Sequence, residues 1–220
     1  MQDIKLVIFD LDGTLIDAYS AINCSFNFVM GKLSLKPQSS ETIRRAVGWG
    51  DKNLLKPFVE RQNLARALDL YRSHHKNSLL KYSKLYPNVK KLLRCLKKNG
   101  YKLAVASNRP TKFSLILLRH FKIKEKFDYI LCADRLRFGK PHPLILNTII
   151  KKFSLEKAQA LYVGDMSIDA QAGRRAHVNT VIVTGGSSSL SEIKKEKPFK
   201  IVNRIDKLQK VLSLDSRCNR

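Results

Sequence analysis

The sequence predicts an α/β fold, a doubly wound parallel sheet interrupted after its first strand by a helical insert. Three observations lead there. Short, nearly unbroken apolar runs rich in β-branched residues recur at Ile4–Phe9, Leu103–Ala106, Tyr129–Cys132, Ala160–Val163 and Val181–Val183. Each is followed by a turn signal and then a helical pattern, as buried parallel strands are when helices cover both sheet faces. From Ile16 to Tyr82 that alternation stops, leaving helical stretches broken by Pro37, Gly48, Gly50 and Pro57.

Taken in order, Ile4–Phe9 is the first strand and residues 16–82 are the insert, with no convincing strand inside it. The α/β pattern resumes near Leu85. Val89, Leu92, Leu93 and Leu96 then fall at i, i+3, i+4 and i+7, an amphipathic helix that Pro87 starts and Gly100 stops. Helices are also expected over Phe113–Phe121 and Pro143–Phe153. After Val181–Val183 come a serine-rich turn (Ser187–Ser189), a short strand at Ile201 and Val202, and a closing helix through Leu212.

The chain has 220 residues, enough for one substantial domain with a smaller insert, and 44% are hydrophobic, which excludes a disordered or collagen-like chain. No apolar run reaches the roughly 20 residues that span a bilayer. The start, MQDIKLVIFD, runs straight into a strand without the features of an export signal, so a cytoplasmic location is expected. The four cysteines (Cys24, Cys95, Cys132, Cys218) are scattered, and a reduced set is expected rather than a disulfide framework or zinc site. The formal net charge is +24, but it is spread evenly: 20 Lys and Arg face 8 acids in residues 1–110, and 22 face 10 in residues 111–220. Such a field attracts anionic substrates and binds polyanions without specificity. No recognition motif accompanies it, so specific nucleic-acid binding is not expected.

The few acids carry the chemistry. Asp10 and Asp12 follow the first strand in FDLDGTL (9–15), and Asp165 and Asp169 follow the fourth in YVGDMSID (162–169). Open α/β sheets bind ligands beyond the carboxyl ends of their strands, where strand order reverses. Asp10 and Asp12, separated by one residue, can face one pocket, and Asp165 and Asp169 are expected on one face of a helix start. Clustered carboxylates repel, and an all-oxygen set without His or Cys favours Mg²⁺ as the neutralising cation. Gly13 lets the backbone pass close to a ligand. Ser107 closes the second strand in LAVASN (103–108), and Lys140 in RFGKPHP (137–143) can reach the same edge. Nucleophilic carboxylate, hydroxyl, lysine and metal acids together suit phosphoryl transfer.

On DLDGT (10–14), SN (107–108), GKPHP (139–143) and GDMSID (164–169), in that order over nearly the whole chain, the sequence resembles the haloacid dehalogenase superfamily, in its phosphoglycolate-phosphatase-like branch. The resemblance implies a Rossmann-like core of residues 1–15 and 83–220, with a five-stranded sheet whose first and fourth strands are adjacent. Residues 16–82 become a mobile helical cap, and AVGWGDKNLL (46–55) looks like the branch's glycine-containing cap loop.

Carried over by position, the likeness implies a Mg²⁺-dependent phosphomonoester phosphatase. Asp10 would be the nucleophile that becomes an aspartyl-phosphate, and Asp12 the general acid and base. Ser107 would bond a phosphoryl oxygen, and Lys140 would neutralise charge on Asp10 and the phosphoryl group. Asp10, the Asp12 backbone carbonyl and Asp165 would hold the metal, and Asp169 would act directly or through a metal-bound water. Gly13, Thr14, Asn108 and Arg109 are candidate substrate contacts from the core, with Trp49 and Lys52 from the cap.

Alternatives stand beside these readings. Asp169 can be a helix-dipole acid and Ser107 an N-cap. Trp49 either lines the pocket or packs cap helices, and Arg109, where the branch often has Lys or a small residue, either meets a second substrate anion or is a surface base. His74 and His75 read as exposed helix residues. Asp12 disfavours dehalogenation, and Ile22, where mutases of this branch carry His, lowers the phosphosugar-mutase alternative. A nucleic-acid-end phosphatase is the other alternative. The expected partner is a small phosphorylated metabolite, and the expected state a monomer or homodimer.

Overall fold

In the computed structural model, which describes residues 3–214, a six-stranded sheet forms the frame. Its strands are β1 (Leu6–Phe9), β4 (Lys102–Ser107), β5 (Tyr129–Cys132), β6 (Ala160–Gly164), β7 (Asn179–Val183) and β8 (Lys200–Val202), and the short β2 (Ile16–Asp17) and β3 (Lys84–Leu85) lie outside it. The order is β5-β4-β1-β6-β7-β8, and every pairing is parallel. The sheet thus has one strand more than the five implied by the family likeness, because the short run around Ile201 pairs with β7.

Alternation along the strands divides the core. Val7, Phe9, Leu103, Val105, Leu161 and Val163 face one way, beneath α5 (Val89–Lys98) and α6 (Thr111–His120). Leu6, Ile8, Ala104, Ala106, Ala160 and Tyr162 face the other, beneath α7 (Leu144–Lys152) and α8 (Ser167–Ala176). Every residue of β1 and β6 is buried, which is why those runs lack a polar face. In α5 the predicted stripe Val89, Leu92, Leu93 and Leu96 is the buried one.

The insert consists of α1 (Tyr19–Lys32), α2 (Ser40–Ala46), α3 (Asp51–Leu55) and α4 (Leu64–Tyr82), with two short 3₁₀ turns before α4. Ile22, Phe26 and Val29 of α1 and Ala67, Tyr71 and Leu79 of α4 join the same hydrophobic cluster as the α5 face of the sheet. At its ends lies a feature the sequence pattern did not predict: β2 (Ile16–Asp17) pairs antiparallel with β3 (Lys84–Leu85), Ile16 opposite Leu85 and Asp17 opposite Lys84. Two residues per strand are too few for any periodicity to show.

The helices α9 (Leu190–Lys195) and α10 (Leu208–Val211) are the last among the described residues, and no described helix is long and apolar enough to cross a membrane. Cys24 and Cys132 are free thiols. Cys218 lies outside the described residues.

Candidate active site

The order of the sheet makes β1 the switch point, with β4 on one side and β6 on the other. The loops leaving these three strands meet at one edge. Asp10 follows β1, and its N–H donates to the Val163 carbonyl of β6 at 2.9 Å, which ties the turn to the neighbouring strand. Asp165 follows β6 directly. It stands on the loop before α8, not on the helix face expected for it, whereas Asp169 lies in the first turn of α8.

Asp10, Asp165 and Asp169 are all buried, and each offers a carboxylate oxygen within 4.8 Å of the others. Burial pushes the Asp10 carboxyl up to about 7, against the pull of Lys140 and with a further push from Asp169 and Asp12. Burial, then Asp169 and Asp10, raise Asp165 well above the carboxylate range. Lys140, its side chain 1% exposed, places Nζ 2.9 Å from Asp10 Oδ1 and 2.8 Å from Asp169 Oδ1. Burial opposes its charge, but the two carboxylates outweigh that and raise its pKa.

This cluster carries more acid than Lys140 can neutralise. Its acids offer oxygen donors alone, and the backbone at Gly13 and Gly186 packs so closely on Asp165 that a Cβ at either position would overlap Oδ2. Gly13 also has φ +81°, a conformation that a side chain would strain. The residues therefore fit a small hard cation. Asp169 has less freedom than its neighbours, since Oδ2 accepts from the N–H groups of Asp165 (3.2 Å) and Met166 (3.0 Å). Its Oδ1 accepts from the Tyr162 hydroxyl at 2.6 Å as well as from Lys140.

Several candidates have their polar atoms engaged elsewhere. Thr14 donates its hydroxyl to Asp165 Oδ1 at 2.9 Å, so it orients one acid of the cluster. Asn108 donates to the carbonyls of Gly48 (2.8 Å) and Lys140 (2.9 Å) and accepts from the Lys140 N–H (2.8 Å). It binds the insert loop and the lysine loop together. Ser107 is buried, and its hydroxyl accepts from the Arg109 N–H at 3.2 Å. Arg109 is no surface base: it is buried, and its guanidinium grips Asp12 twice, Nε to Oδ2 at 2.8 Å and Nη2 to Oδ1 at 2.9 Å. Burial works against its charge and Asp12 restores it, leaving the group more basic than usual.

A cleft opens beside Asp10 and Asp12, lined also by Ser107, Asn108, Arg109 and Lys140. Its remaining wall is largely apolar and comes mostly from the insert: Ile22, Val47, Leu54 and Tyr71, with Phe113 and Met166 from the core. Trp49 and Lys52 are not in that wall. Trp49 is 44% exposed and Lys52 is exposed, whereas Gly48, Gly50 and Asp51 beside them do line it. His75 is the reverse case, buried against the cleft instead of exposed on α4. Sequence reasoning also passed over Tyr162, whose signal was an aromatic residue inside an otherwise aliphatic strand two positions before Gly164.

The insert is clasped to the core around this cleft. Arg44 donates to the carbonyls of Gly185 and Gly186, and Arg45 to that of Ser187 at 2.6 Å. Arg45 also forms a two-point pair with Glu192 of α9, at 2.6 and 3.1 Å.

The family model for haloacid dehalogenase-like hydrolases matches residues 7–183. A phosphoglycolate phosphatase of Haemophilus influenzae is 32% identical, over 94% of this chain and 98% of its own length. One from Aquifex aeolicus is 28% identical, over 92% and 97%. Among solved structures, one described as a predicted phosphoglycolate phosphatase from Haemophilus somnus superposes with a TM-score of 0.91. It is 30% identical and covers 96% of this chain and 99% of its own.

Proposed function

Because the chain belongs to the haloacid dehalogenase-like hydrolase family and is a phosphoric monoester hydrolase, we propose that it is a Mg²⁺-dependent phosphatase of small phosphorylated metabolites that works through an aspartyl-phosphate on Asp10. The observation that carries this reading is the convergence of Asp10, Lys140, Asp165 and Asp169 at one sheet edge, with Asp12 beside them on the cleft.

In the first half-reaction an Asp10 carboxylate oxygen attacks phosphorus and the ester oxygen leaves, taking a proton from Asp12. In the second, Asp12 takes a proton from the water that attacks the aspartyl-phosphate, which returns Asp10 as carboxylate and releases phosphate. Lys140 draws Asp10 toward its ionised form against the effect of burial and offsets the phosphoryl charge, and the Ser107 hydroxyl donates to a phosphoryl oxygen. Asp10, the Asp12 backbone carbonyl and Asp165 would hold Mg²⁺, with Asp169 acting directly or through a bound water, and the ion when bound supplies positive charge to the acids and to the phosphoryl oxygens.

The insert, residues 16–82, is proposed as the cap and residues 1–15 with 83–220 as the catalytic core. A small substrate is supported by the limited cleft and its apolar wall, and phosphoglycolate is the first candidate because the relatives above carry that name. Ile22, an aliphatic side chain on the cleft, offers no proton relay for a mutase. The proposal extends to a small phosphorylated metabolite as partner, to a monomer or homodimer, and to the cytoplasm, where cell fractionation tests it. The test of the activity is a screen of phosphomonoesters with and without Mg²⁺. Turnover that needs Mg²⁺ and stops with chelator supports the reading, and full turnover in metal-free buffer sinks it.

A further inference from the structure

One buried polar cluster plays no part in the reaction just described. His75 of α4 is 1% exposed, its ring stacked on Tyr71 with centroids 4.5 Å apart and set edge-on to Phe113 at 5.1 Å. An apolar ring would fill that space without needing hydrogen bonds, so the imidazole calls for another explanation.

Its two nitrogens provide one. Nε2 lies 2.8 Å from Arg109 Nη1, and a guanidinium can only donate, so Nε2 accepts. Nδ1 then carries the proton and donates to Ser25 Oγ of α1 at 2.9 Å. The Tyr71 hydroxyl, 3.3 Å from Nε2, adds a second donor there. The ring is held as a neutral acceptor in a single tautomer. Burial and then the charges of Arg109 and His74 lower its pKa to about 2, in keeping with that state.

Arg109 thus has three anchors: two bonds to Asp12 and one to His75. Without His75, Nη1 would be a buried donor left unsatisfied, and the long side chain would regain rotamer freedom. The fork on Asp12 fixes the plane of that carboxylate, while each oxygen retains a lone pair for the cleft that Asp12 lines. The chain of bonds crosses from Ser25 and His75 of the insert to Arg109 and Asp12 of the core.

We propose that His75 is a positioning residue for the phosphatase reaction, holding the Arg109 guanidinium against Asp12 so that this carboxylate is correctly aimed only when α4 is seated on the core. The proposal rests on the reading of Asp12 as general acid and base.

The test compares kcat/KM, which ends at phosphorylation of Asp10, for an alkyl phosphate and for p-nitrophenyl phosphate, using the full chain with Mg²⁺. An alkoxide needs a proton to leave, and p-nitrophenolate does not. His75→Phe is expected to lower the alkyl value roughly 10- to 100-fold and the p-nitrophenyl value by less than about 3-fold. His75→Gln, whose amide oxygen can accept from Nη1, should recover most of the loss. Equal losses on both substrates, or no recovery by a folded His75→Gln, would overturn the proposal. Should His75→Phe fail to fold, Ser25→Ala takes its place. Loss of the Nδ1–H acceptor should give the same alkyl-selective loss at smaller size, and an unselective loss counts against the proposal. Asp12→Asn separates the two readings. Selectivity there without selectivity at His75 overturns the proposal alone, and its absence in Asp12→Asn overturns the reading of Asp12 and the proposal with it.

Discussion

Lys140 Nζ stands 2.9 Å from Asp10 Oδ1, and of the two side chains the lysine is the more deeply buried. A charge placed there acts on the nucleophile and on whatever group the nucleophile attacks, not on the remainder of the substrate. Lys140→Met should therefore lower kcat/KM by about 100- to 1000-fold, and by the same factor for every phosphomonoester in a panel. Losses that differ widely from one substrate to the next would contradict this.

The two acids of the first loop should separate in a trapping experiment. Asp10→Asn removes the nucleophile, so turnover and phosphoenzyme should vanish together. Asp12→Asn keeps the nucleophile, and with a good leaving group the phosphoenzyme should form and then accumulate for want of a base. Acid quench and mass spectrometry check both, and a phosphate located on any residue other than Asp10 excludes the mechanism.

Substrate preference should follow the wall of the cleft. Leu54→Ala or Val47→Ala, which alter the apolar surface facing the substrate, should reorder the preferred phosphomonoesters, with shifts of about 10-fold for the loss of a few methylene contacts. Trp49→Ala and Lys52→Ala lie outside that wall and should leave the order intact. Kinetics on a common panel decide, and a reordering by Trp49→Ala alone would place the substrate elsewhere.

Acid should destabilise the fold through His75. In the folded chain its pKa is about 2, against an ordinary value of 6.5. Above pH 6.5 neither state binds the proton. Between roughly 6.5 and 2 the unfolded chain binds it and the folded chain does not, so stability falls as pH falls, by at most about 1.4 kcal/mol per pH unit from this group. His75→Gln, which does not titrate, should show a shallower loss between pH 6.5 and 5 in urea melts. Parallel curves for the two proteins would show that His75 is not the group responsible.

The clasp between Arg45 and Glu192 is exposed, and water and salt weaken such pairs. Arg45→Ala should change KM or kcat by a few-fold while leaving the melting temperature nearly unchanged, and raising the ionic strength should reproduce part of the effect in the parent chain. A large loss of stability would instead make the clasp part of the fold.

What the sequence disclosed depended on how local each signal was. The strands of the sheet were visible because residues such as Leu6–Phe9 and Ala160–Gly164 are buried on both faces and carry no alternation to obscure them. Asp10, Asp12, Lys140, Asp165 and Asp169 were visible because short motifs follow strand ends in a known order. His75 was not, since its burial is decided by Tyr71, Phe113 and Arg109, and two of those come from another part of the chain. The same holds for Thr14 and Asn108, whose polar groups are engaged by partners 151 and 60 residues away. Hydropathy at Trp49 said nothing about direction, and that side chain, between Gly48 and Gly50, lies at the surface.

The pairing of Ile16 with Leu85 brings the entrance and the exit of the insert side by side. A segment whose two ends adjoin can be lengthened, shortened or exchanged as a cassette without rethreading the strands on either side. With the insert as the proposed cap, changes in which molecules are admitted can accumulate within one continuous stretch of gene. The codons for Asp10, Lys140 and Asp165 lie outside that stretch and can stay as they are. Duplicated copies of such a gene could thus diverge in diet while retaining the same teeth.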